Sequence, residues 1–202
     1  MITTAINIRR ATSDYAPELS TFAGKTFAFN FGYLYPPEVT AKFLETDYSE
    51  DIYKGWILDT KYGVWIATTC RSDAISKDDK DVIVGYCVCG PSALPRTESG
   101  SAEMKKLYID KACYGNGLAN KLFETGISWM RESYAGHPIY LSVYSENFRA
   151  IKFYNRYNFV QHDEYMYVVG GYQDKNFILR ESDSPTVTTC IEQNLADKKP
   201  ML

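Results

Sequence analysis

Histidine is scarce: the chain has two in 202 residues, His137 and His162, and neither stands near a cysteine in sequence. No zinc-ligand spacing exists, and no metal is expected. Long apolar runs are also missing. Nowhere do about eighteen apolar residues follow one another, so no bilayer-spanning helix and no membrane partner are expected. Met1 to Arg10 contains no cationic stretch leading into an apolar one, and it turns charged at Arg9 and Arg10, so a secretory signal is not expected. The chain therefore reads as cytoplasmic. The cysteines, Cys70, Cys87, Cys89, Cys113 and Cys190, are odd in number and no Asn-x-Ser/Thr sequon accompanies them, which argues against a secreted disulfide framework. Basic excess is lacking too. Lys+Arg total 22 against Asp+Glu 25, a net charge of −3, which does not suit a general nucleic-acid binder and mildly favours a cationic partner.

What is present is apolar and aromatic. Hydrophobic residues make up 45% of the chain and 17 residues are tyrosine, enough to build a core in one domain of this length. The expected domain covers residues 1–181. Residues 182–202 turn rich in Ser, Thr, Asp and Lys and read as a loosely held tail.

Alternation and capping residues order the elements. A short strand over Ala5 to Arg9 precedes Thr12-Ser13-Asp14, which offers N-cap chemistry for a helix toward Phe31. Pro36-Pro37 ends that region, and helix resumes from Glu38 to about Leu58 with a break near Asp47. Tyr62 to Thr69 and Val82 to Gly90 are β-branched and aromatic runs joined by a charged loop, Arg71 to Asp81, and read as an antiparallel hairpin. Cys87 and Cys89 alternate within the second run and belong to one strand face. Glu103 to Asp110 is a further strand. After Gly115-Asn116-Gly117 comes a helix that aligns Leu118, Leu122, Ile127 and Met130 along one stripe. Pro138 to Tyr144 reads as strand and Asn147 to about Tyr157 as helix. Phe159 to Val169 and Asn176 to Arg180 are two more strands, split by Gly170-Gly171. The pattern is mixed α/β.

Two glycine segments invite a phosphate reading. Gly24-Lys25-Thr26 ends like a Walker sequence, but Leu19 occupies the position of its first glycine and the surroundings read as helix, so nucleotide hydrolysis is not expected. Tyr114-Gly-Asn-Gly-Leu-Ala119 sits between a strand and a helix, where open backbone amides and the positive helix end suit an anion. A tight turn without a ligand explains the same residues. The spacing is not that of a dinucleotide fingerprint, and no acidic residue follows at the ribose position.

Three segments taken in order resemble the GNAT superfamily of acyl-CoA-dependent N-acyltransferases: Glu103-Met-Lys-Lys-Leu-Tyr-Ile-Asp110, Tyr114-Gly-Asn-Gly-Leu-Ala119, and Asn147-Phe-Arg-Ala-Ile-Lys-Phe-Tyr154 with Phe159. The resemblance implies a single-domain fold with a mixed, mostly antiparallel sheet. Its fourth and fifth strands would splay into a V, and about four helices would flank it. It further implies acetyl-CoA as acyl donor, no metal, and transfer to an amine. Tyr114 stands where the family usually has Arg or Gln, and Asn158 replaces the glycine before Phe159. Backbone amides still supply a phosphate grip at Tyr114, and Asn reaches the left-handed region more readily than most residues.

On this resemblance the cofactor-binding candidates are Leu107, Tyr108, Ile109, Tyr114, Gly115, Asn116, Gly117, Leu118, Ala119, Asn147, Ala150 and Tyr154. Leu107 and Ile109 would pair their backbone with the pantetheine amides. Asn147, Ala150, Ile151 and Tyr154 share a helix face, on which a small Ala leaves room for the thioester. Arg149, Lys152 and Arg156 lie on another stripe, which reads equally as a phosphate contact and as a solvated basic face. Tyr154 is the candidate acid for the leaving thiolate, or else an aromatic packed on Phe159. Glu103 is the candidate base, or else an ordinary carboxylate at a strand edge. Cys113 as an acetylated nucleophile has no nearby histidine to activate it.

The acceptor candidates are Phe31, Tyr33 and Tyr35, from the aromatic stretch Phe27 to Tyr35. That stretch serves either as an amine pocket by cation–π contact or as core and lid packing. The segments Tyr144-Ser-Glu-Asn147, Tyr167-Val-Val-Gly-Gly171 and Asp174 to Leu179 are similar to small-amine and polyamine acetyltransferases. The expected function is acetyl transfer to a small primary amine. Its alternatives are a protein N-terminal or lysine acetyltransferase and a non-catalytic acyl-CoA-binding module, and a homodimer is compatible with all of them.

Overall fold

The computed structural model describes residues 6–69 and 81–182. The expected loop over residues 71–80 and the tail from residue 183 lie outside the described residues. Strand β1 (Ile6–Arg10) leads into helix α1 (Ala16–Phe31), then α2 (Pro37–Asp47) and α3 (Glu50–Leu58). The hairpin β2 (Gly63–Thr69) and β3 (Val82–Pro91) is followed by β4 (Ala102–Ile109), α4 (Leu118–Ser133), β5 (Ile139–Tyr144) and α5 (Phe148–Asn155). Strands β6 (Phe159–Val169) and β7 (Tyr172–Glu181) close the described chain. The helical stretch after Pro36-Pro37 breaks at Tyr48–Ser49, as the residues near Asp47 suggested, and so forms two helices.

One seven-stranded sheet has the order β1-β2-β3-β4-β5-β7-β6. All neighbours pair antiparallel except β4 and β5, which run parallel. Strand β7 starts at Tyr172 rather than near Asn176, because Gly170 and Gly171 adopt positive φ and make a tight hairpin that pairs Val169 with Tyr172. Strand β4 ends at Ile109, ahead of the glycine turn. A short 3-10 turn, Lys111–Cys113, fills the interval, and the Asp110 carboxylate accepts the Ala112 N–H at 2.8 Å.

Each face of the sheet carries its own core. Helix α4 lays Leu118, Leu122, Phe123, Ile127 and Met130 over Cys87, Cys89 and Met104 on one face. A Cβ on Gly126 would stand 2.8 Å from Cys89 Sγ and 2.9 Å from Met104 Cε, so only glycine lets the helix lie this close. Both cysteines are buried free thiols on that face. On the other face α1, α2 and α3 bury Leu19, Phe27, Phe43 and Tyr53 against Ile66, Tyr86 and Val88. Gly24 belongs to this buried side of α1, facing Leu44, and Lys25 is exposed, so Gly24-Lys25-Thr26 is helix as expected. Asn158 takes φ +61°, the left-handed conformation that the missing glycine called for.

Candidate active site

Strands β4 and β5 pair only from Ala102 to Met104 against Ile139 to Leu141. Beyond that, β5 pairs with β7, and among the described residues no strand lies beside the β5-facing edge of β4 from Lys105 to Ile109. The two parallel strands thus open into a V. A cavity of about 720 Å³ occupies the gap and draws its walls from both faces of the sheet.

A bulge in β4 decides which side chains enter from which face. Val88 pairs with Lys106 and Cys89 with Met104, so Lys105 is the extra residue. Met104, Leu107 and Ile109 therefore pack toward α4, while Lys106 and Tyr108 turn to the α1–α3 face with Glu103. Without the bulge Lys106 would share the face of Met104.

Toward α4 the cavity meets the glycine turn. Gly115 and Gly117 have φ of +79° and +83°, which carries the chain from the 3-10 turn into α4. Tyr114, Gly115, Gly117, Leu118 and Ala119 line the cavity. Asn116 does not; its side chain accepts the Leu118 N–H at 3.0 Å and so caps the helix. Asn147 caps α5 by accepting the Ala150 N–H at 3.2 Å and also lines the cavity, as do Ala150 and Tyr154. Ile151 turns into the core instead. The Tyr154 ring packs on Phe123 and Phe153 with centroids 5.8 and 5.4 Å away, and its hydroxyl makes no hydrogen bond to another described residue. Burial pushes the Tyr154 pKa up from its ordinary value, so the phenol stays protonated.

Toward α1–α3 the walls are aromatic and charged. Glu103 is buried, and its Oε2 accepts both the Ala93 N–H at 2.9 Å and the Lys105 ammonium at 2.8 Å. Its Oε1 has no bond to another described residue. Lys106 donates to the Tyr48 hydroxyl at 2.9 Å and lies 4.3 Å from the centre of that ring. Tyr35 donates to the Asp174 carboxylate. Burial, and then the Asp174 bond and charge, push the Tyr35 hydroxyl up. The Ser142 hydroxyl stands 3.0 Å from that of Tyr165 and 3.1 Å from the Asn176 amide.

The acceptor candidates separate by helical period. Because α1 stays helical through Phe31, Phe27 and Phe31 fall on one side, with ring centres 5.4 Å apart, and Phe29 falls on the other. Phe31 and Tyr35 line the cavity. Tyr33 does not: it is 76% exposed and borders a neighbouring cleft.

Sequence reasoning missed Lys106, Tyr48, Asp47, Tyr167 and Asp174, all of which line the cavity. Lys106 stood inside one of the three motifs, where the bulge that re-aims it left no mark, and Tyr167 and Asp174 stood in segments that resembled polyamine acetyltransferases without being assigned a role. Among the described residues no group of three His, Cys, Asp or Glu is placed to hold a metal, and no helix is long and apolar enough to cross a membrane.

A parallel pair splayed beside a glycine turn at a helix start, inside an otherwise antiparallel sheet, is not a doubly wound nucleotide fold and matches the mixed sheet with a V that the three motifs implied. The chain belongs to the acetyltransferase (GNAT) family, whose model it matches over residues 32–159. It is 28% identical over 181 residues to an N-acetyltransferase in the pepI 3′ region of Lactobacillus delbrueckii subsp. lactis, covering 89% of this chain and 98% of that one. It is 30% identical over 79 residues to the spermine/spermidine N(1)-acetyltransferase of Bacillus subtilis, covering 38% of this chain and 52% of that one. Among solved structures, the PaiA N-acetyltransferase of Thermoplasma acidophilum in complex with coenzyme A superposes with a TM-score of 0.65 at 16% identity, over 88% of this chain and 98% of that one. Arabidopsis thaliana NAA60 in complex with acetyl-CoA also gives 0.65 at 16% identity, over 87% and 97%. These two likenesses concern the fold.

Proposed function

We propose that this acetyltransferase moves the acetyl group of acetyl-CoA directly to a primary amine of a small cationic molecule. The observation that carries the reading is the two-sided cavity. One side offers a glycine turn and a strand edge to the donor, and the other encloses the acceptor between aromatic rings and the carboxylates of Asp47, Glu103 and Asp174. The bond from Tyr35 to Asp174 links the α1–α2 connection to β7 across the proposed acceptor side, an arrangement that favours a small molecule over a polypeptide. The likeness to a spermine/spermidine acetyltransferase supports the same choice over the part of the chain it covers.

Acetyl-CoA supplies an activated thioester carbonyl when bound. The amides of Tyr114 to Ala119 and the positive end of α4 suit its phosphates, and the open edge of β4 at Leu107 and Ile109 suits its pantetheine amides. An alkylammonium near pKa 10.4 must lose a proton before it attacks, and Glu103 Oε1 is the acceptor left uncommitted by Lys105 and Ala93. Tyr154 holds its proton because it is buried, and it gives that proton to the departing sulfur.

A thiol-release assay with acetyl-CoA tests the reading. Di- and polyamines are expected to release CoA at rates well above those of peptides with free N-termini or lysines. Faster turnover of peptides would replace the small amine with a protein acceptor.

A further inference from the structure

Tyr114 stands where this family usually carries a cationic or amide side chain, and the structure shows what covers it. Arg149, in the first turn of α5, lies over the Tyr114 ring with its Cζ 4.1 Å from the ring centre. The two residues approach from opposite arms of the V, one after β4 and the other after β5. Both border the main cavity, and both border the neighbouring cleft of about 260 Å³, so the pair sits where the two spaces meet.

Helix stability does not explain this arginine. A cation in the first turn opposes the helix dipole, and Arg149 forms no ion pair or hydrogen bond with another described residue. Contact with the ring through Cζ leaves the guanidinium N–H donors, which bond no other described residue, open to bind phosphate oxygens in pairs. The other cations of α5 are placed differently. Lys152 does not line the cavity; Arg156, at the C-terminal cap of α5, lines it too but lies over Phe153, its Cζ 5.4 Å from that ring, and does not border the neighbouring cleft.

We infer that Arg149, held on the Tyr114 ring, is a phosphate-binding residue for the nucleotide end of the acyl donor, replacing from α5 the side chain that the glycine turn lacks. Tyr114 serves as its platform. This role concerns donor binding alone and holds whichever amine is the acceptor.

Calorimetric titration of the full-length protein, without amine, tests it with CoA, dephospho-CoA and pantetheine. Arg149→Ala is expected to weaken CoA binding roughly tenfold or more, the scale of a charge-assisted hydrogen bond, and to leave pantetheine unchanged. An effect that disappears with dephospho-CoA assigns the contact to the 3′-phosphate, and one that persists assigns it to the pyrophosphate. Tyr114→Phe keeps the ring and should bind CoA as the parent does, whereas Tyr114→Ala should lose part of the affinity. Placing Tyr114→Arg in the Arg149→Ala background should restore binding. Equal losses for CoA and pantetheine, no loss at all, or no recovery in the double variant would overturn the inference.

Discussion

The Tyr35 hydroxyl donates to the carboxylate of Asp174 and so ties the connection between α1 and α2 to the start of β7, across 139 residues of sequence. The bond orients a carboxylate in the cavity wall proposed to face the acceptor. It also joins helices on one sheet face to the β6–β7 hairpin, and the Tyr35 ring meets Tyr172 edge to face at 6.1 Å. Tyr35→Phe should therefore free Asp174 without removing its charge. The expected result is a rise of a few fold in KM for the amine with KM for acetyl-CoA unchanged, read from initial rates.

Tyr154→Phe removes one oxygen and keeps the ring on Phe123 and Phe153. General acid catalysis contributes on the order of 10² to 10⁴ in rate, so kcat should fall at least a hundredfold while CoA affinity stays within about twofold. Unchanged thiol release would remove Tyr154 from the mechanism.

Glu103→Gln keeps the shape that accepts from Ala93 and Lys105 but not the basicity of Oε1. At neutral pH kcat should drop about a hundredfold, with part of the loss recovered at higher pH, where more of the amine is already neutral. A pH–rate profile parallel to that of the parent would show that the proton leaves by another route.

Burial raises the pKa values of Tyr48, Tyr86, Tyr108 and Tyr154, with desolvation as the leading cause in each. In the unfolded chain these phenols ionise near pH 10, and in the folded protein only above it. Their contribution is thus complete below the ordinary tyrosine range and is lost as pH rises through it, by up to roughly 1.4 kcal/mol per phenol for each pH unit. Urea midpoints should be level from pH 7 to about 9 and fall steeply beyond pH 10.

Gly126→Ala puts a methyl group within 3 Å of Cys89 Sγ and Met104 Cε. The α4 contact must loosen, at a cost of about 1 to 3 kcal/mol in denaturant unfolding.

Much of the fold was legible because its signals are local. Pro36-Pro37 broke the helices, β-branched and aromatic runs marked β2 and β3, and Asn147 capped α5, whereas the 3-10 turn that Asp110 caps was read as part of the approach from strand to glycine turn. The parallel pairing of β4 with β5 was not written in either strand. The resemblance of three motifs supplied a mixed sheet with a V between the two strands but not the direction of that pair, since pairing between strands separated by a helix depends on packing. The cavity wall proposed for the donor was readable in the sense that its lining residues fall in consecutive motifs. The acceptor side was not, because Asp47, Tyr48 and Asp174 meet only after α2, α3 and the β6–β7 hairpin fold against one sheet face. Lys106 was hidden differently, by a bulge that shifts the two-residue period partway along β4. Tyr33 was placed with Phe31 on aromatic character, although the helical turn between them carries it outward.

The central claim is that a small cation is held at the Asp174 side of the V while the donor enters from the glycine turn. Initial-rate kinetics of Asp174→Asn measure it most directly, with the amine and acetyl-CoA varied in turn. The claim predicts a KM for the amine raised about tenfold, on the scale of one hydrogen bond to a charged group, with KM for acetyl-CoA unchanged. An unaltered KM for the amine, or a loss confined to acetyl-CoA, would contradict it.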